Sequence, residues 1–221
     1  MRKAILALTV LLLGANLLFG QNEQSPLVEK NIEYKNWSFK NLRTGDSTDL
    51  RSLAKGKKLV MVVYFAAWCP NWKHDAPIVK RLYDKYRASG FEVVGVSEYD
   101  AIDKTKTNLE SFKLDFPVVT ESEATKDRLT TTHYQIRTAA GDTRKWGSPW
   151  YIFLEPSKLE KSGDLLTSKA SLVNGELIEP DVDKFIAAKL GGGGAVAQAE
   201  KGAKPGEVCD PEDAAAQLKK P

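Results

Sequence analysis

Cysteine and histidine are scarce in this chain. Among 221 residues there are two of each: Cys69 and Cys209, His74 and His133. Two cysteines form at most one bridge, which excludes a small disulfide-stapled scaffold. The fold must rest on apolar burial, for which a 42% hydrophobic composition suffices. Net charge is nearly absent as well. The formal value is +3, and without Arg2 and Lys3 it falls to 30 basic side chains against 29 acidic. A nucleic-acid binder needs a basic patch, so no nucleic-acid partner is expected. The lysine cluster KGKK at 55–58 reads as a solvated turn. No internal repeat is present, and after the first 20 residues no apolar run reaches membrane-spanning length.

What is there begins with a leader. Arg2 and Lys3 precede the apolar run AILALTVLLLGANLLFG, and polar QNEQSP follows. That is the pattern of a secretory signal, with cleavage expected after Gly20. The expected home is the periplasm or cell envelope, with no stable membrane insertion once the signal is gone. An uncleaved N-terminal anchor is the alternative, because the run approaches spanning length. Residues 21–36 read as a polar lead-in and 37–190 as one domain. Residues 191–221 form a Gly-, Ala-, Lys- and Glu-rich tail with too little apolar surface to pack. Cys209 lies in that tail and is expected to be mobile, outside the folded core.

Within 37–190, WSFKNLRTGDSTDLRSL reads as a β-hairpin turning at 44–46. KKLVMVVYFAAW is a continuous β-branched and aromatic run, the mark of a strand buried on both faces. A helical pattern starts at Pro70, where the missing N–H costs nothing, and runs to about Ser89 before Gly90. Pro77 inside it is expected to kink it. FEVVGVSEY is the next strand, 104–113 a helix, FPVVTE a short strand and 122–146 a polar, Thr-rich connection. GSPWYIFLEP and ASLVNGELI read as strands, the second bending at Asn174–Gly175, and 179–190 as a last helix with an acidic first turn. Strands alternate with helices early and pair antiparallel late. The fold class is α/β, with a mixed central sheet flanked by helices and an N-terminal hairpin.

Cys69 falls where the buried strand gives way to a helix N-terminus. Unpaired backbone N–H groups and the helix dipole favour a thiolate there. Such settings lower a cysteine pKa from about 8.5 to about 3.5–7.5, making the sulfur nucleophilic. The alternative is a buried, inert cysteine.

The ordered motifs TGDSTDLRSLAKGKKLVMVVYFAAWCP, AP at 76–77, FEVVGVS, FPVV and SPWYIFL resemble the thioredoxin superfamily. They are most similar to exported thiol–disulfide oxidoreductases of the TlpA/ResA type, over about residues 39–190. The resemblance implies a thioredoxin-like fold, with Pro149 as a cis-proline facing Cys69 and Ser148 before it. Trp68, Pro70 and Trp72 would support the site. It also exposes a departure: the second cysteine of the redox pair should stand three residues after Cys69, where the sequence has Trp72. No local disulfide can form. Six residues before Cys69, where a buried acid often stands, is Val63. Glu98 is a candidate proton acceptor in its place, or an ordinary solvated acid at a strand end.

The expected partners are protein or small-molecule thiols and disulfides, engaged by mixed-disulfide exchange at Cys69, with Cys209 as a candidate remote resolving thiol. No cofactor is expected. A non-catalytic peptide-binding module beside Pro149 is the main alternative. Thiol peroxidase chemistry is disfavoured by Ala66, which replaces the hydroxyl residue of the peroxiredoxin pattern three before Cys69. A copper site from Cys69, His74 and His133 is disfavoured because copper-delivery proteins of this fold present two cysteines. The tryptophans 68, 72, 146 and 150 are candidates for an aromatic surround, Trp146 more simply a rim aromatic.

Overall fold

The computed structural model describes residues 23–191 together with Cys209 and Pro211. The leader and most of the tail lie outside the described residues. Ten strands and five α-helices follow one another among them. These are β1 (Gln24–Ser25), β2 (Val28–Lys35), β3 (Ser38–Asn41), β4 (Ser47–Asp49), α1 (Leu50–Leu53) and β5 (Leu59–Phe65). Then come α2 (Pro70–Tyr86), β6 (Phe91–Ser97), α3 (Ile102–Ser111), β7 (Val118–Thr120) and α4 (Thr132–Ala139). Last in this order are β8 (Trp150–Leu154), β9 (Leu165–Val173), β10 (Glu176–Leu177) and α5 (Glu179–Lys189).

Eight strands form one sheet in the order β2-β9-β8-β5-β6-β7-β3-β4. β5, β6 and β7 are mutually parallel, while β8 pairs antiparallel with β5. This is the expected mixed α/β architecture, and β3 and β4 are the expected hairpin. Every residue of β5, β6 and β8 is buried. A continuous apolar run survives only where both sheet faces are covered, and here each face carries its own core. One contains Met61, Val63, Phe65, Trp72 and Val93; the other contains Val60, Val62, Tyr64, Val94 and Trp150.

Two local differences stand out. Residues 28–35, read as lead-in, are an edge strand paired along its length with β9. The alternation of Ile32 and Tyr34 with exposed Glu29, Asn31, Glu33 and Lys35 is what half-buried pairing requires, and the polar residues mask it. The connection at 122–146 contains α4. Thr131 caps it, its hydroxyl accepting from Tyr134 N at 3.0 Å, and Glu121 accepts from the backbone N–H groups of Thr132 and His133. Helix α2 carries Pro77 inside it and runs on to Tyr86. The bend at Asn174–Gly175 is as expected: Gly175 has φ 144, and a Cβ there would run into the Glu23 carbonyl.

Candidate functional site

β5 delivers the chain to the N-terminus of α2, and Cys69 is the cap residue, with φ −67 and ψ 125. No side chain caps this helix, and Pro70 occupies its first turn. The first-turn N–H groups are therefore available to a sulfur anion at Cys69. The Ser148–Pro149 peptide is cis. Ser148 joins β8 to the cysteine strand, its hydroxyl accepting from Ala66 N at 2.9 Å. A buried ion cluster holds this loop. Arg144 donates to the Pro149 carbonyl at 3.0 Å and forks onto Asp142 at 2.8 Å. Arg137 donates to the carbonyls of Arg144 and Lys145. Its guanidinium packs on Gly147 (φ 59), where a Cβ would come within 2.5 Å of it.

Cys69 is wholly buried and joined by a disulfide to Cys209, with the two Cα atoms 5.0 Å apart. Cys209 is only 3% exposed and lies in the same core as Cys69. The expectation of a mobile tail cysteine is corrected here. Composition correctly describes a segment poor in apolar residues, but one covalent bond across 140 residues fixes a point that no local pattern reports. Both sulfurs lie against the Ser148 carbonyl oxygen, Cys69 Sγ at 3.3 Å and Cys209 Sγ at 3.2 Å. That oxygen can accept a hydrogen bond from either S–H once the bond is reduced.

Trp72 fills the position of the missing second cysteine. It is fully buried, stacks on Phe65 at 4.2 Å, and donates from Nε1 to Asn108 Oδ1 at 2.9 Å. Asn108 in turn donates to the Ala67 carbonyl, beside the cysteine loop. Trp68 is half-buried, with Trp146 edge-on at 5.4 Å. Trp150 is not part of an aromatic surround. It belongs to the core on the opposite sheet face, because successive strand residues point to opposite sides and Tyr151 takes the near side.

Glu98 is not a solvated acid. It is fully buried, and burial together with neighbouring Glu121 pushes its carboxyl well above the usual range. The Ser122 hydroxyl donates to it at 2.6 Å. Burial thus favours its protonated form, and a protonated carboxyl is the poorer proton acceptor. The candidate copper ligands do not assemble, and no cluster of three or more ligating side chains exists among the described residues. His133 is buried, stacked on Tyr64 at 4.7 Å and bonded to Tyr99, and its pKa is held well below 6.5 by burial and by Arg137 and Arg144. His74 is about half exposed.

Sequence reasoning passed over Asp75. It lies on the inner face of α2 and is wholly buried. Its carboxylate accepts from Tyr151 Oη at 2.6 Å and Leu177 N at 2.9 Å. Burial raises its pKa from 3.8 to about 6, against the pull of those bonds and of His74. The signal was its position three after Trp72 and four before Val79, a charge inside an apolar stripe.

A raised carboxyl pKa favours the protonated fold. Its stabilising share is whole below about pH 4 and is lost as pH rises through about 6. Asp75→Asn removes that dependence. The stability difference between variant and parent should therefore move towards the variant by on the order of 3 kcal/mol between pH 4 and pH 7. Glu98 contributes in the same sense and His133 in the opposite one, so the difference isolates Asp75. Parallel urea midpoints across that range would reject the assignment.

The architecture is thioredoxin-like: a mixed sheet, a cysteine at the strand-to-helix junction and a cis-proline loop against its sulfur. The chain belongs to the AhpC/TSA family, whose model matches residues 31–148, just over half of its length. It is 26% identical over 119 residues to the thiol-disulfide oxidoreductase ResA of Halalkalibacterium halodurans, covering 54% of this chain and 66% of that protein. The fold is similar to that of a thioredoxin-family thiol:disulfide interchange protein from Chlorobium tepidum, with a TM-score of 0.52 at 20% identity over 73% of this chain and 98% of that one. It is also similar to the thioredoxin domain of a thiol-disulfide oxidoreductase from Bacteroides vulgatus, with a TM-score of 0.50 at 21% identity over 73% and 99%. No helix among the described residues is long and apolar enough to cross a membrane.

Proposed function

We propose that the protein is an exported thiol–disulfide oxidoreductase in which Cys69 attacks and Cys209 resolves. The observation that carries this is the Cys69–Cys209 disulfide at the uncapped N-terminus of α2. In the reducing direction the Cys69 thiolate attacks one sulfur of a client disulfide. The client S–S bond breaks, a bond from Cys69 to the client forms, and the other client sulfur leaves as a thiolate that takes a proton. The Cys209 thiolate then attacks Cys69 Sγ. The mixed bond breaks, the client leaves as its second thiol, and the protein is left as the disulfide, oxidised by two electrons. An external protein dithiol must reduce it again.

Trp72 is consistent with this division of labour, since the second thiol is supplied from the tail. Trp68, Pro70 and Ser148 shape the entry to the sulfur, and Pro149 faces it. An oxidising compartment is the setting in which such a disulfide persists, in keeping with the leader-like N-terminus. The test is insulin-disulfide reduction with dithiothreitol as the external reductant. The parent should accelerate it, and Cys69→Ser should fall to the uncatalysed rate. No acceleration by the parent would leave the non-catalytic binding module as the better reading.

A further inference from the structure

Any client held on Cys69 in a mixed disulfide must place its own sulfur where Cys209 Sγ now sits. The surroundings of Cys209 therefore describe the surroundings of a client cysteine. That position is enclosed: Cys209 is 3% exposed, with its sulfur against the Ser148 carbonyl. Two residues on, Pro211 lines a cavity of about 640 Å³. Ala67, Trp68, Tyr99 and Ala101 give its apolar wall. Lys73 and Lys104 lie on its rim with Asp100 and Glu123, and both lysines act electrostatically on Asp100. The cavity remains open with Pro211 in place, so it has room for more chain. In sequence, the segment about Cys209 reads Glu-Val-Cys-Asp-Pro-Glu-Asp, acidic on both sides of the cysteine.

Resting on the thiol–disulfide reading above, we infer that this cavity is a sequence-reading seat for client segments with a cysteine, a proline two residues later and acidic flanks. Cys209 and Pro211 of the chain itself hold the seat as a tethered copy of the client. The proline has a restricted backbone and a compact apolar ring, so it can bury surface against an aromatic wall with little loss of conformational entropy. The rim lysines supply the preference for acids, tempered by Asp100 and Glu123. Cys209 and Pro211, so seated, also close the oxidised protein to clients until Cys209 is released.

The test uses reduced Cys209→Ser protein, whose one remaining thiol is Cys69. The probes are the heptapeptide Glu-Val-Cys-Asp-Pro-Glu-Asp and two relatives, one with proline replaced by alanine and one with its acids replaced by lysine. Each is presented as a mixed disulfide with 5-thio-2-nitrobenzoate, so that release of the coloured thiolate reports attack, and glutathione disulfide is the small control. The parent peptide should react about tenfold faster than the alanine peptide, the worth of one small apolar contact. Its advantage over the lysine peptide should shrink in Lys104→Glu. Equal rates for all three peptides, with glutathione disulfide also reacting, overturn the seat and leave the thiol chemistry standing. No reaction with any disulfide overturns both. A check that keeps both cysteines is Pro211→Ala in the full chain. Dithiothreitol should open its Cys69–Cys209 bond about tenfold faster than the parent's, and an unchanged rate overturns the seat.

Discussion

Cys209→Ser should open a client disulfide once and then stall. Mixed disulfides between Cys69 and the client should accumulate on non-reducing gels, while the parent shows few. The reason is proximity. A tethered thiol acts at a millimolar effective concentration, and at micromolar external thiol its removal should slow multiple turnover on the order of 100-fold or more. The single-turnover rate of the first attack should be preserved or raised, since Cys69 and the helix N-terminus are untouched and the tail no longer closes the site. Multiple turnover at the parental rate would show that another thiol resolves the intermediate. A variant forming no mixed disulfide would count against Cys69 as the attacking group.

The second large effect is expected for Trp72→Cys. The substitution restores a Cys-x-x-Cys pair one turn into α2, close enough for a bridge to Cys69. It also removes a fully buried indole that stacks on Phe65 and satisfies Asn108. The loss of packing alone costs about 3–5 kcal/mol, and Asn108 Oδ1 loses its donor. The variant should therefore melt lower. Where it folds, the new thiol competes with Cys209 for Cys69 and should win, because its loop is far shorter. Peptide mapping should recover the local disulfide with Cys209 free, and insulin reduction should rise above the parent. A folded variant that forms the local bond without gaining turnover would mean that a missing neighbour is not what limits this site. The binding-module reading would then gain.

Legibility in the sequence followed the range of the interaction. β5 and β6 announce themselves, because burial on both faces leaves runs of apolar residues such as LVMVV, with Glu92 of β6 the charged exception, paired with Lys57. Cys69 was legible for the same reason: the end of such a run followed by Cys-Pro marks a strand-to-helix junction. α4 was hidden, since His133 and Arg137 are its buried residues and imitate a solvated surface. Asp75 was legible only as an anomaly in the helical stripe. Cys209 was legible as a candidate partner for Cys69, being the other cysteine of the chain, but its burial was not. Its local composition describes a linker, and its partner lies 140 residues away.

That separation has a thermodynamic consequence. The bridge closes a loop reaching from the centre of the sheet, through most of the domain, to the far end of the chain. By the chain-entropy model, closing a loop of this size costs the unfolded ensemble about 5 kcal/mol of freedom. Whatever the bond lends the fold, the fold must return to the bond through the same cycle. On that scale, folding lowers the reduction potential of the pair by roughly 100 mV relative to the same pair in the unfolded chain. Each reductive encounter then does two things at once: it arms Cys69 and it loosens the molecule that carries it. The reduced protein should melt lower and be cut sooner by proteases, so its working form is also its more perishable one.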